Sequence, residues 1–519
     1  MSDIEEVDVP NVVEMLAQDA PAGLTFVGPE AADLFTIELR ESMEGVLRKN
    51  YHSGQEGDNA GFVSASVDDR PWTDTMWTRD AGVFLRELVH WGYLGHACMT
   101  ADCLIRLVGE NESGFKTFPG RFDLGKPDSG DELDGTTAII IGMVLLWQRL
   151  AKDHPMRDRI YSFLHDPTSP LRYIEAVTKS DPLIPGSGEF GGGCGIEGPF
   201  LNVVQNNMVR LACLAAAQLE REAGDTGTAA RYQGIAEKLE SNINEYLIGE
   251  DGAWIWCVDP DTRKPDPDVI DHTINKGFGG LNGPACMSSD VMGLEPLQSG
   301  WSGIEPSLRT FDKLLSFPLR REQFERYGMW TQFDEYLGGY TTGPSYGHGY
   351  ALQAMLLFDK MEMAERALTY LAESTYRPPR AYPLTRECPY WFFERYHSPD
   401  AAGIIEWWEG CGALNLVCVA EPLKVARLMV GIDDTSSEQV TIIPRVPPSW
   451  TGFEATHWPI RTSNGLVRAD LTYVRDSRGE TLRLDVIDGL IPDLVLKTGT
   501  AGQRKEHRLT DVRSLEIRV

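Results

Sequence analysis

Between residues 200 and 222 the apolar side chains fall at Phe200, Val203, Val204, Met208, Leu211 and Leu219, the three- and four-residue spacing of one helix face. The same period returns over 32–49, 81–91, 97–108, 136–150, 228–246, 346–360, 364–372 and 404–429, with polar, Gly- and Pro-rich connections between. Several of these segments come in pairs joined by a short turn such as "HWGYLGHA". Helix pairs with no β-rich segment between them predict stacked αα-hairpins closing into a toroid. At 431 the register changes. The stretches 439–443, 466–473, 481–486, 494–497 and 512–519 are short, β-branched and often alternating, and "SNG", "DSRG" and "GTAG" separate them. The expected organisation is a 1–30 N-terminal extension, a 31–431 helical domain and a 432–519 antiparallel β-domain. No internal repeat stands out.

Charge narrows the partners. With 77 acidic against 48 basic side chains the net charge is -29, so a nucleic-acid duplex or an anionic membrane meets repulsion over most of the surface. No run of about 20 uninterrupted apolar residues occurs, and the start "MSDIEEVDVP" lacks a basic region followed by an apolar one. The expectation is a soluble, unexported, cytoplasmic protein. Its nine cysteines are scattered without C-x-x-C pairs, and Cys103, Cys213 and Cys418 sit in apolar helical runs where a thiol behaves as a small hydrophobe.

In a helical toroid the connections at one rim converge on a central pocket, so the unusual connections carry the functional signal. Five stand out: "DDRPWTDTMWTRD", "KPDSGDELDGTT", "GSGEFGGGCGIEGPF", "MWTQFDEYLGGYTTGPSYGHGY" and "RYHSPDAAGIIEWWEGCG". Together they hold aromatics, carboxylates and Gly-permitted turns with few lysines. Aromatic faces stack on the C–H side of a pyranose, and carboxylate and guanidinium groups bind paired hydroxyls, so the mix predicts a sugar pocket. Trp77, Arg79, Asp80, Asp131, Asp134, Gln332, Asp334, Tyr346, His348 and Trp407 are the candidates for sugar contact. Each also has a plain structural reading: a tryptophan packs in a core, and an Asp at a helix start caps it. The glycines at 191–193 lack G-K-[ST] and a preceding strand, which argues against a nucleotide site. Asp128, Asp131 and Asp134 miss the calcium-loop spacing, so neither metal nor cofactor is expected.

These segments resemble a known group, the glycoside hydrolases built on an (α/α)6 barrel. "WTRDAGVFLREL" looks like the W-[TP]-R-D-A motif of the glucoamylase family, which implies that Arg79 and Asp80 bind hydroxyls of the non-reducing sugar. "GIEGPFLNVVQNNMVRLACLAAA" is similar to that family's general-acid segment, with Glu197 nearest its acid. "TQFDEYLGG" and "SYGHGYALQAML" resemble the E-Q-F-D and W-S-Y-A pieces that carry the base. Thr331 stands where that family has a glutamate, so its base does not carry over. The α-L-rhamnosidase family is the second likeness. "WTRDAGVF" is similar to its W-T-G-D-A-x-V-F, Asp68, Asp69 and Asp74 match its upstream acidic run loosely, and "IIEWWEG" resembles its I-W-E-x-W, which points to Glu406 as base. "EQVTIIPRVPPSWTGFEATHWPIRTSNGLVRADLTY" resembles the β-sandwich that follows the rhamnosidase barrel. The likeness covers roughly 65–490 and implies an (α/α)6 barrel, a six-hairpin toroid, followed by a small C-terminal antiparallel β-sandwich. The large N-terminal β-domain of both families is not expected here.

Glycoside cleavage needs a protonated carboxylic acid at the leaving oxygen and a second carboxylate, about 6.5–9.5 Å away where water must fit between. Glu197 lies in an uncharged Gly-rich loop, where desolvation keeps a carboxyl protonated, and takes the acid role; Asp74 is the alternative. Glu406, between Ile405 and Trp407 at an expected helix start, takes the base role, with Asp334 and Glu409 as rivals. The expectation is an inverting, exo-acting glycoside hydrolase without cofactor, for a terminal α-linked glucoside or rhamnoside. Two other classes stay open. One is a polysaccharide lyase or sugar epimerase on the same toroid, using His348, His397 or Tyr396 as base. The other is a non-catalytic sugar-binding protein, for which Thr331 is the argument.

Overall fold

The computed structural model describes residues 15–52, 59–67, 74–124, 126–127, 132–180, 183–186, 201–255, 257–265, 304–316, 318–330, 332–334, 339–342, 346–376, 390–392, 396–397, 413–499 and 503–518. The longest apolar period becomes the Val203–Ala223 helix. The Asn202 side chain accepts from the Gln205 N–H to start it, and Gly224, at φ 91°, ends it in the left-handed conformation that glycine adopts without a Cβ clash. Asp225 then caps the antiparallel Thr226–Tyr246 helix, completing one αα-hairpin.

Four contacts fix the direction of neighbouring helices. Arg79 and Asp134 meet in the first turns of Thr78–His90 and Leu133–Arg149. Gln148 and Glu222 meet in the last turns of Leu133–Arg149 and Val203–Ala223. Arg427 and Glu87 meet well along Leu416–Val430 and Thr78–His90. Gln353 of Tyr346–Leu357 reaches Glu421 of Leu416–Val430 at similar depth. These helices therefore run parallel and lie side by side in the order Tyr346–Leu357, Leu416–Val430, Thr78–His90, Leu133–Arg149, Val203–Ala223. Their N-termini share one end of the array. Partner helices such as Glu30–Lys49, Leu94–Leu107 and Met361–Tyr376 pack against the array and bury a continuous apolar core.

Several elements depart from expectation. Pro155–His165, Pro170–Ser180, Ile304–Leu315 and Pro318–Tyr327 are helices that the periodicity does not announce. Three of them begin on a proline, which reads as a breaker but is favoured in a first helical turn, where the missing N–H has no partner to lose. The expected 404–429 helix begins instead at Leu416. Leu414 has φ 55°, and Asn415 accepts from Val417 and Cys418 N–H groups as the cap; 404–412 lie outside the described residues. No helix among the described residues is long and apolar enough to cross a membrane.

Beyond residue 431 the chain builds two sheets, the first of which also takes in Gly23–Val27 from the expected N-terminal extension. One has the order Gly23–Val27, Gly452–Thr462, Gly465–Asp476, Gly479–Val486, Ser514–Arg518, antiparallel throughout. The other orders Ile432–Asp433, Val440–Ile442, Ile491–Thr498 and Lys505–Val512, and here Val440–Ile442 pairs parallel with Ile491–Thr498, a correction to the all-antiparallel expectation. Gly452–Thr462 carries no clean alternation in its sequence. Pro459 and the register shift between Ala455 and Trp458, with His457 at φ 54°, break its alternation. Pro459 lies past the part that pairs with Gly23–Val27, where its missing N–H costs no second ladder bond.

Candidate active site

The shared N-terminal end of the parallel helices is built around residues 77–80. Thr75–Trp77 pairs antiparallel with Arg121–Asp123, and Thr75 Oγ1 donates to Asp123 Oδ1 at 2.7 Å. The chain then turns straight into a helix. The Thr78 N–H donates to Gly120 O at 3.0 Å and its hydroxyl to Pro119 O at 2.6 Å, tying the helix start to the neighbouring connection. Two glycines bring the next helix close. A Cβ on Gly82 would sit 2.7 Å from the backbone of Ala138, and one on Gly135 would sit 2.1 Å from Thr78 Oγ1. Only hydrogen at these positions permits the contact.

This approach places Arg79 among carboxylates. Its guanidinium lies 3.4 Å from Asp80, 3.4 Å from Asp134 and 3.9 Å from Glu132. Arg79, Asp80 and Asp134 are 5%, 4% and 0% exposed. The acidic groups sit in or just before the first turns of two helices, where free N–H groups and the macrodipole favour negative charge. Asp134 uses this directly, its Oδ1 accepting from the Gly135 N–H at 2.6 Å. Trp77 is half-buried beside the pair, and the Arg121 guanidinium lies 5.5 Å from its ring centre, the distance of a cation–π contact. The arrangement suits ring hydroxyls: the Arg79 guanidinium to donate and the Asp80 carboxylate to accept, with the half-buried Trp77 just before them in the chain.

Other expected site residues fare differently. Asp74 is exposed in the turn before Thr75–Trp77, its carbonyl accepting from Leu124 N–H at 2.9 Å. Gln332 and Asp334 belong to the strand Gln332–Asp334, which pairs with Gly339–Thr342; that strand in turn pairs with Tyr396–His397. Four of the expected sugar-binding and lyase candidates thus share one small sheet. Tyr346 begins the Tyr346–Leu357 helix. Glu197, Glu406, Asp131, Trp407 and Thr331 lie outside the described residues.

His348 requires a correction. It is 0% exposed. Its Nδ1 accepts from Trp330 N–H at 3.1 Å, and its Nε2 donates to Ala367 O at 2.9 Å. Burial pulls its pKa down to about 4, with the Ala367 hydrogen bond opposing. A neutral ring with both nitrogens engaged by backbone neither binds sugar nor acts as a lyase base. The residue links two helix pairs instead. Conversely, Glu132 belongs to the Arg79 cluster and was not singled out; its signal was an acidic pair, Glu-x-Asp, at a helix start. The polar trio Asn202, Gln205 and Asn206 at the start of Val203–Ala223 is also buried, and Asn206 binds both the N–H and C=O of Ile184 at 2.8 and 3.1 Å.

No protein-family model matches this sequence, and no curated protein matches it. Solved structures do match. The α-L-rhamnosidase of Dictyoglumus thermophilum aligns over 96% of this chain and 50% of its own, at 10% identity and TM-score 0.56. The Streptomyces avermitilis α-L-rhamnosidase complexed with L-rhamnose aligns over 95% of this chain and 42% of its own, at 13% identity and TM-score 0.54. A glucoamylase from Saccharomycopsis fibuligera aligns over 78% of this chain and 96% of its own, at 13% identity and TM-score 0.55. The fold is thus the helical fold of rhamnosidases and glucoamylase, and the chain spans about half the length of the rhamnosidases it matches.

Proposed function

We propose that the chain is a glycoside hydrolase that removes a terminal sugar, an α-linked glucoside or rhamnoside, with inversion at the anomeric carbon. In this reading the parallel helices belong to an (α/α)6 toroid and the C-terminal sheets to a β-sandwich. The observation that carries it is the buried Arg79–Asp80 pair beside Trp77, at the end of the array where the helix N-termini gather. The likeness to rhamnosidase and glucoamylase folds supports the same reading.

Arg79 and Asp80 bind ring hydroxyls, which fixes the sugar. Glu197 gives its proton to the leaving oxygen as the C1–O bond breaks. Glu406 takes a proton from a water whose oxygen bonds to C1 from the opposite face.

A panel of aryl glycosides with the purified protein, followed by NMR of the first-formed anomer, tests the proposal. The expected result is sugar release with inverted configuration. Glu197→Gln and Glu406→Gln are each expected to lower turnover by about 10³-fold or more while circular dichroism stays unchanged. Release with retained configuration, or wild-type rates in either variant, removes the corresponding part of the scheme; an ultraviolet-absorbing unsaturated product makes the protein a lyase.

A further inference from the structure

We propose that Asp134 is a positioning residue: it sets the Arg79 guanidinium for the sugar and does not itself touch the sugar. The ligand's identity rests on the glycosidase reading above; the geometry does not. Asp134 is 0% exposed, whereas Arg79 and Asp80 keep 5% and 4% of their surface. A ligand therefore meets Arg79 and not the carboxylate behind it.

The two oxygens of Asp134 have divided tasks. Oδ1 accepts from Gly135 N–H at 2.6 Å, anchoring the carboxylate to its own helix start. Oδ2 faces Arg79 Nη1 at 3.4 Å. Rotating the carboxylate toward any other partner would give up the backbone N–H. The anchor is packed against the neighbouring helix start, since a Cβ on Gly135 would lie 3.2 Å from Arg79 N and 2.1 Å from Thr78 Oγ1. The backbone that carries Asp134 thus abuts the backbone that carries Arg79. Asp80 approaches Nη2 of the same guanidinium at 3.4 Å, and Glu132 approaches Nη1, the nitrogen that Asp134 faces, at 3.9 Å. A planar donor fork oriented before the ligand arrives loses little freedom on binding, and that preorganisation raises affinity.

Such a residue acts on binding and not on the chemical step. Asp134→Asn keeps the shape and removes the charge. It is expected to raise KM, and the equilibrium Kd for the best glycoside of the panel measured by calorimetry, about 10- to 100-fold. The kcat should stay within about threefold of wild type. Glu132→Gln, on the more exposed flank of the guanidinium, should shift Kd in the same direction by less, and it provides the measurement if Asp134→Asn does not fold. Thermal unfolding of each variant separates misfolding from misplacement. A folded Asp134→Asn protein with unchanged Kd, or one that loses kcat at constant KM, overturns the positioning role. Wild-type protein that binds the glycoside without cleaving it rejects the hydrolase reading, yet the Kd comparison still decides this one. Wild-type protein that binds no glycoside at all overturns both.

Discussion

Two clusters of buried charge sit on the same helices, one at their N-terminal ends and one toward their C-terminal ends. At the front, one guanidinium, Arg79, faces three carboxylates at 3.4–3.9 Å. At the rear, Arg86 and Glu87 pair at 2.7 Å, and Arg427 reaches Glu87 at 3.4 Å. Arg149 binds both oxygens of Asp434 at 2.7 and 2.8 Å. The rear chain continues through Arg461, which meets Glu222 and donates its N–H to Asp434 at 2.7 Å, so it ties the helices to the C-terminal sheets. Each cluster follows the helix macrodipole. Asp80 and Asp134 lie in first turns, and His90, Arg149 and Arg427 lie in last turns. Among the described residues the front is rich in carboxylate and the rear is rich in cations. His90 shows what that does. Burial first, then Arg427, Arg149, Arg86 and Lys424, push its pKa well below the usual range, and its Nδ1 accepts from Arg149 as a neutral ring. The difference teaches that burial alone does not mark a site. What sets the front apart is its excess of carboxylate, among the described residues, at the end where the helix N-termini gather.

The sharpest way to break that contrast is a pair of arginine deletions. Arg79→Ala is expected to cost about 10³-fold in kcat/KM, roughly 4 kcal/mol of transition-state binding, and also to lower the denaturation midpoint, because it removes the cation facing the buried Asp80 and Asp134. Arg149→Ala should lower stability alone. It strands Asp434, which is 4% exposed, and removing one member of a buried pair destabilises by about 3–5 kcal/mol. The kcat/KM of the folded fraction should be unaffected. If urea titrations and kinetics give the two variants the same profile, the division between functional front and structural rear is wrong.

Glu421 offers a smaller effect with a sign. Burial raises its carboxyl to about 7, although Arg86, Lys424 and a hydrogen bond from Gln353 pull it down. The folded pKa thus exceeds the unfolded one. Between about pH 4.5 and 7 the native state holds a proton that the unfolded chain releases, so stability falls as pH rises through that window. For this group the loss is on the order of 3 kcal/mol, complete above pH 7. Glu87 works oppositely. Burial would raise it, but Arg427 and Arg86 outweigh burial and hold it below the usual range. Glu421→Gln should therefore flatten the decline in urea midpoint from pH 5 to 7. A decline of unchanged slope would mean that other groups cause it.

How far these regions could be read beforehand follows from the range of the forces involved. The helix expected over 200–222 was legible in its face and its end, because its apolar period is local in sequence; the Asn202 cap starts it three residues later, at Val203. Arg79 and Asp80 were legible as a motif for the same reason. The partnership of Arg79 with Asp134 was not, since it depends on two helices 55 residues apart meeting across glycines. Arg86 and Glu87, within "AGVFLRELVHW", invite a solvated-face reading, yet both are 0% exposed, because their partners come from the Leu416–Val430 helix. Long-range charge pairing leaves no periodic trace. Expectations for Glu197 and Glu406 stand on motif alone.

Glycine gives the finest test, because one substitution should have opposite signs in two places. In the front packing, a Cβ on Gly82 meets Ala138 C and Cβ and Ile139 N, each at 2.7 Å. Backbone cannot move aside as a side-chain tip can, so Gly82→Ala should push apart the helices that carry Arg79 and Asp134. The expected cost is about 1–3 kcal/mol, with a raised KM as the cluster loosens. Gly234 lies within the Thr226–Tyr246 helix, and nothing stands within 4 Å of its missing Cβ. There alanine only restricts the unfolded chain and improves helix propensity, so Gly234→Ala should stabilise by about 0.5–1 kcal/mol and leave KM alone. Urea midpoints moving in opposite directions, with KM changing only in the first variant, would tie the close approach of the two helices to ligand binding. Gly82→Ala at wild-type stability and KM would show that the approach is incidental, and the case for Asp134 acting through Arg79 would weaken with it.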